Sequence, residues 1–387
     1  MKKKYIIFSI VTLVLLVSFL SYSKYLKTTN VCKEDVKPTK ITKGISMNFE
    51  QTAGAGDYKQ VTQSSWPTEG YKFNEELSKC ENGSTLSWDD TKKAVIVSGN
   101  LSDKCYVYFD IYVRRRFDET CNSSTLACHI AKQYTGTQGE NGIYYHDSSL
   151  TNGAGDNSYR YAGASDSVNN YICLGSDAAT CPEANLFRII GVFGDKTKVI
   201  RAKSVGDQQW HTSKDNTWSS SSLNTYLNGT YLTSLGTLAE KIATTTWKVG
   251  GGISAKISQS VPKTAYQYEV GSSSSTTTVD KKIGLMYVSD YYYGASPSAW
   301  TLVGYNRSDA TKDYRAAMST NWLYKDSYEW TISRYSDFTD GAFSVYSGLL
   351  DSSSVTFSFA VRPAFNLLSS VKYVSGSGSM SDPVRVN

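Results

Sequence analysis

His129, His146 and His211 are the only imidazoles in 387 residues, and they lie too far apart in sequence to suggest one acid–base or metal constellation. No His-Glu-x-x-His helix motif and no Gly-x-Ser-x-Gly elbow occurs. These histidines therefore read as helix-surface or loop residues. Asp147, Asp156 and Asn157 offer oxygens around Gly153 and Gly155, but calcium takes roughly six to eight oxygen ligands. A solvated turn is the expectation there, with calcium an open option and no other cofactor indicated. Asp337, Asp340 and Asp351 are the only carboxylates of the polar passage at residues 335–358, and their spacing implies no shared face. A hydrolase needs convergent carboxylates or a nucleophile with its base, so the sequence predicts no catalytic residue and no metal ligand. The glycine-rich stretches at residues 53–56 and 250–252 do not follow a strand and open a helix as a phosphate loop must. They read as turns.

What remains is recognition chemistry. Tyrosine occurs 29 times, and residues 335–358 mix aromatic rings with Ser, Asp and Gly, the composition of binding loops. There a rigid ring gives contact area at low entropic cost. Tyr335, Asp337, Phe338, Phe343 and Tyr346 are the candidate ligand-binding residues. The competing explanation is that tyrosine favours strands, and it is preferred for Tyr287 and Tyr293. Two apolar blocks must hold the passage: Trp330 and Ile332 before it, and Val361, Ala364, Phe365 and Leu367 after it. Arg362 sits inside the second block and needs a partner if buried, such as Asp337 or Asp351.

The positioning elements read as follows. Lys2, Lys3 and Lys4 precede an apolar run over residues 5–20, extendable through Tyr22, which makes it just long enough for a membrane helix of roughly 17 to 25 residues. No Ala-x-Ala-like site follows, so residues 1–22 are expected to be a retained single-pass anchor with everything from Lys24 outside the cell. Residues 23–43 form a lysine-rich stalk. Residues 1–43 carry nine lysines against Glu34 and Asp35, leaving 31 basic and 33 acidic residues in the remainder. That near-neutral balance argues against nucleic acid as a partner. Period-two patterns over residues 44–113 predict a small β-sandwich, and residues 114–165 read as a linker with a short helix carrying Leu126, Ile130 and Tyr134. Residues 166–387 form the ligand-binding domain, with a hairpin from Leu186 to Ala202 and a buried strand expected at residues 283–293. Pairing the cysteines by nearness in an oxidising compartment gives Cys80–Cys105, Cys121–Cys128 and Cys173–Cys181, with Cys32 left over. Zinc knuckles of the Cys-x-x-Cys type are lacking.

The blocks Tyr-Glu-Trp-Thr-Ile-Ser-Arg (328–334) and Ala-Val-Arg-Pro-Ala-Phe-Asn-Leu (360–367), with IGLMYVSDYYY (283–293) and NLFRIIGV (185–192), carry a resemblance. They resemble a largely uncharacterised bacterial extracellular domain family, with a Trp-x-x-Arg block followed by Val-Arg-Pro-Ala, likened to C-type lectins and the formylglycine-generating enzyme fold. The stretches GYKFNEELSKCENGSTLSW and SDKCYVYF resemble a small Cys-containing β domain of similar membrane-anchored surface proteins. The resemblance implies an α+β fold: an N-terminal transmembrane helix, a small β-sandwich, then a C-type-lectin-like domain. No cysteine follows Cys181, so formylglycine-generating chemistry is not implied. The expected function is non-catalytic binding or adhesion to an extracellular glycan or surface protein. The alternatives are a cell-wall-acting enzyme on the same scaffold and a purely structural envelope protein.

Overall fold

The computed structural model describes residues 44–61, 70–89, 94–100, 103–112 and 116–387. The expected anchor at residues 1–22 and stalk at 23–43 lie outside them. Among the described residues no helix is long and apolar enough to cross a membrane. The chain divides into two units, one ending at Arg115 and one beginning at Arg116.

In the first unit the strands are β1 (Ile45–Glu50), β2 (Tyr58–Gln60), β3 (Tyr71–Cys80), β4 (Thr85–Asp89), β5 (Ala94–Ser98) and β6 (Cys105–Ile111). One sheet runs β2-β1-β6-β3, with β1 and β6 parallel, and β4 and β5 form a separate hairpin. Met47, Phe49, Val107 and Phe109 supply the buried face, and Trp88 of the hairpin stacks on Phe73 and meets Phe109 edge-on. The expected sandwich is thus a four-stranded sheet covered by a hairpin. Cys80 and Cys105 face each other across the β3–β6 ladder and are bonded.

The second unit opens with β7 (Ile143–His146), β8 (Ser158–Tyr161), β9 (Tyr171–Cys173) and the hairpin β10 (Leu186–Phe193) and β11 (Lys196–Arg201). Next come β12 (Asp207–Gln209), β13 (Thr245–Lys248), β14 (Thr278–Lys281) and β15 (Ile283–Gly284). Then follow β16 (Glu329–Arg334), β17 (Gly341–Tyr346), β18 (Leu349–Ser354), β19 (Ser358–Ala360), β20 (Ala364–Asn366), β21 (Tyr373–Ser375) and β22 (Val384–Val386). A nine-stranded sheet runs β15-β20-β11-β10-β9-β22-β21, extended by β8 on β10 and β7 on β8. A five-stranded sheet runs β12-β19-β16-β17-β18.

These findings correct the expected α+β class. The protein is β-rich, 35% strand against 19% helix, and its helices are short pieces such as Pro262–Glu269. They also correct the linker. Leu126, Ile130, Ile143, Tyr159 and Tyr161 belong to the core of the second unit, so residues 116–165 are part of the domain. A third correction falls at residues 283–293, where only β15 is strand and Val288–Tyr293 is a helix with all six residues buried. Buried on every side, this segment carries no polar face for periodicity to report. Its helix starts at a capping box in which Asp290 accepts from the Tyr287 backbone N–H.

Six of the eight tryptophans are fully buried. Five of these, Trp210, Trp247, Trp300, Trp322 and Trp330, donate the indole N–H to a backbone carbonyl. That satisfies the polar tip a buried indole would otherwise leave unpaired.

Candidate functional site

The hairpin β16–β17 carries part of the expected binding surface at its tip. Phe338 is 60% exposed, its ring 5.2 Å from Tyr335, which is half-buried. Asp337 stands exposed beside them. One residue fixes this tip: the Asn216 side-chain amide donates to the carbonyls of Tyr335, Phe338 and Gly341, and its backbone N–H donates to Thr339. From the other side Gly251 presses close, at φ +59°, where a Cβ would sit 1.9 Å from the Arg334 carbonyl oxygen. Only glycine permits that approach.

Two of the expected ligand residues are not part of this surface. Phe343 is fully buried in the core. Because β17 is covered on both faces, it shows no alternation to separate inward from outward positions. Tyr346 lies at the far end of β17 and stacks on Tyr328 at 4.2 Å. It belongs to a second aromatic group that continues through Phe359 to the exposed Phe357, at 5.1 and 6.0 Å. Trp330 and Ile332 are core, as expected. Arg362 is buried with a carboxylate partner, but the partner is Glu329. Arg334 donates instead to the Gly250 carbonyl.

A well-formed concavity lies elsewhere and was missed in the sequence. It is a cleft of about 640 Å³ lined by His129, Gln133, Glu140, Asn141, Tyr144, Asn169, Ser296, Tyr373 and Ser377, among others. The helix Leu126–Ala131, capped by the Thr125 hydroxyl, places His129. The segment leading into β21 is stitched to the start of that helix by Leu126 N–H to Val371 O and a Thr125–Lys372 bridge. That seam lays Tyr373 flat on His129, centroids 3.5 Å apart and planes 7° apart. Burial holds the His129 imidazole below its ordinary range, so the ring is neutral at neutral pH. Gln133 accepts from the Tyr161 hydroxyl through Oε1, and Asn141 donates through Nδ2 to the Gln133 carbonyl. These bonds orient both amides and leave the Gln133 NH₂ and the Asn141 Oδ1 for a ligand. Tyr144 leans edge-on against Trp300.

Chemically the cleft can stack and hydrogen-bond. Among the described residues its one carboxylate is Glu140, which accepts from the Thr135 hydroxyl. The other two histidines do not join it. His146 is fully buried, accepts from the Ala154 N–H at 3.1 Å, and has its basicity pushed far down by burial. His211 lies near Ser213 at the surface. The oxygens weighed as calcium ligands are engaged: Asp147 holds the turn to Leu150, Asp156 pairs with Arg160 at 2.6 Å, and Asn157 accepts from the Tyr145 hydroxyl. Among the described residues no group of three His, Cys, Asp or Glu side chains is placed to hold a metal.

All three expected disulfides, Cys80–Cys105, Cys121–Cys128 and Cys173–Cys181, are formed. The model of a family described as a domain of unknown function (DUF6273) matches residues 194–369, a stretch from the β10–β11 turn to just past β20. It includes the five-stranded sheet but not the His129 wall of the cleft. No curated protein and no solved structure matches the chain.

Proposed function

We propose that this is a non-catalytic binding protein displayed outside the cell, and that its cleft takes a segment of glycan. The observation that carries the reading is the stacked His129–Tyr373 pair beside oriented amides and serine hydroxyls. Sugar rings present an apolar C–H face and a rim of hydroxyls, which suits an aromatic platform with amide donors and acceptors around it. A cleft of this volume also falls within the usual range for small-ligand sites, about 300 to 1,000 Å³. A glycosidase would need two carboxylates flanking one bond, and Glu140 stands alone in the cleft, so binding is favoured over hydrolysis. Three disulfides favour an oxidising, extracytoplasmic location. The near-neutral balance of residues 44–387 favours a surface ligand other than nucleic acid.

A protein partner is the second reading. It is favoured by the Asn216 clamp, which presents Phe338 on an ordered loop as an exposed anchor.

The test is a glycan array followed by titration of the retained sugars. Tyr373→Ala should weaken binding at least tenfold while leaving the melting temperature within a few degrees. Absence of any retained glycan, or full binding by Tyr373→Ala, overturns the assignment of glycan to the cleft.

A further inference from the structure

Arg362 is 2% exposed and grips Glu329 with Nε at 2.6 Å and Nη2 at 2.8 Å. Nη2 also donates to the Leu323 carbonyl at 2.7 Å, but buried Nη1 has no partner. Arg188 is fully buried between the rings of Tyr171 and Trp322, at 4.3 and 4.7 Å. Its N–H groups go to neutral acceptors: Asn170 Oδ1, Ser165 Oγ and the carbonyls of Ser165 and Val168. Lys325 lies two residues after Leu323, whose carbonyl accepts from Arg362, and three after Trp322, whose ring covers Arg188. It is half-buried and forms no hydrogen bond or ion pair among the described residues. Glu329 is already answered by Arg362, and nearby Lys203 pairs with Glu183 at 2.5 Å. The neighbouring carboxylate, Asp326, accepts from the Tyr324 hydroxyl at 3.4 Å. Arg188 and Lys325 are therefore left without a counter-charge.

An uncompensated charge kept out of water is costly, and cations grouped with one donor unused are the arrangement that recognises oxyanions. We propose that Lys325, backed by Arg362 and Arg188, forms a binding site for one oxyanion group, a carboxylate or a phosphate, carried by a ligand. None of Lys325, Arg362 and Arg188 lines the cleft, and the proposal does not depend on what the cleft binds. Burial, with Arg362, Arg188 and Lys203 adding to it and Glu329 opposing, pushes the Lys325 ammonium down to about 8. An anion seated on Lys325 relieves that.

The experiment follows the melting temperature of the full chain during titration with sodium phosphate and, in a separate arm, sodium acetate. Each arm is set against sodium chloride at equal ionic strength. One or both anions should raise the melting temperature in a saturable way, since a ligand that binds only the folded state stabilises it. The arm that responds identifies the group. Lys325→Gln should weaken this response at least tenfold, whereas Lys203→Gln should leave it within twofold. Without added anion, Lys325→Gln should melt no lower than the parent. The proposal is overturned if neither anion exceeds chloride, if Lys325→Gln responds like the parent, or if that variant alone melts markedly lower, which would mean that Lys325 already has an internal partner.

Discussion

Around Asp290 the buried charges close on themselves, while around Arg362 they do not. Asp290 accepts from Lys198 at 2.5 Å and from the Tyr287 N–H at 2.7 Å, and lies 3.9 Å from Arg160. Arg160 in turn holds Asp156, whose carboxyl is kept at about 2 against its burial by Arg160 and the Ser158 hydroxyl. Glu269 next to them accepts from the N–H groups of Val288 and Ser289 and from the Ser333 hydroxyl. Burial lowers Lys198 and Asp290 works against that. Three carboxylates thus face two cations, and further donors answer the remaining oxygens. In the other group Glu329 pairs with Arg362, and Arg188 and Lys325 have no carboxylate partner among the described residues. Charges answered by internal partners act here as scaffolding, and surplus cation marks the place where something from outside completes the set.

The widest way to test the contrast is to open the closed group. Asp290→Ala leaves Lys198 buried without its partner and removes a helix cap, and should cost about 3 to 5 kcal/mol in urea unfolding. An unchanged midpoint would mean that the Lys198–Asp290 pair contributes nothing. Glu329→Gln should come next, at about 3 kcal/mol, because it adds a third uncompensated cation to the open group. It should also strengthen the response to phosphate or acetate, and a weaker response would contradict the charge account. Lys325→Met should cause no loss of stability at pH 7, since it removes an ammonium that burial disfavours.

That variant has a clearer signature in pH. With the folded lysine at about 8 and an unfolded one near 10.4, the unfolded chain keeps its proton in the window between, where the folded chain has lost it. Lys325 therefore makes stability rise with pH across that window, among Arg362, Arg188, Lys203 and Glu329. Subtracting the Lys325→Met curve from the parent curve between pH 7 and 10 should isolate a positive slope. A flat difference would place the ammonium in open water.

Features fixed by neighbouring residues were legible in the sequence. Cys121–Cys128 and Cys173–Cys181 join residues seven and eight apart, so nearness alone pairs them. The β10–β11 hairpin shows as two apolar runs around a Gly-Asp turn, and Trp330 reads as core because Ile332 repeats its face. Features fixed by burial on all sides were not legible. Val288–Tyr293 and Phe343 offer no polar face, so a helix reads as strand and a core ring reads as a binding ring. The cleft was hidden for a different reason. Its platform joins His129 to Tyr373 through a backbone seam between distant segments, and no local pattern encodes such a meeting. Arg362's need of a partner was legible, but the identity of Glu329 was not, because it depends on how β16 and the segment after β19 lie side by side.

The placement of β22 bears on when the second unit can take shape. Val384–Val386 pairs parallel to β9 and holds β21 on its other side, and Arg385 reaches back to the carbonyls of Ser176 and Ala179. A strand late in the sequence thus sits inside the nine-stranded sheet. Until residues 384–386 have joined it, β9 keeps a bare edge and β21 is held only at its start, by the seam to Ser124 and Thr125. Pairings this distant along the chain form slowly, and an open strand edge invites other chains. The nine-stranded sheet is therefore complete only when β22 takes its place between β9 and β21.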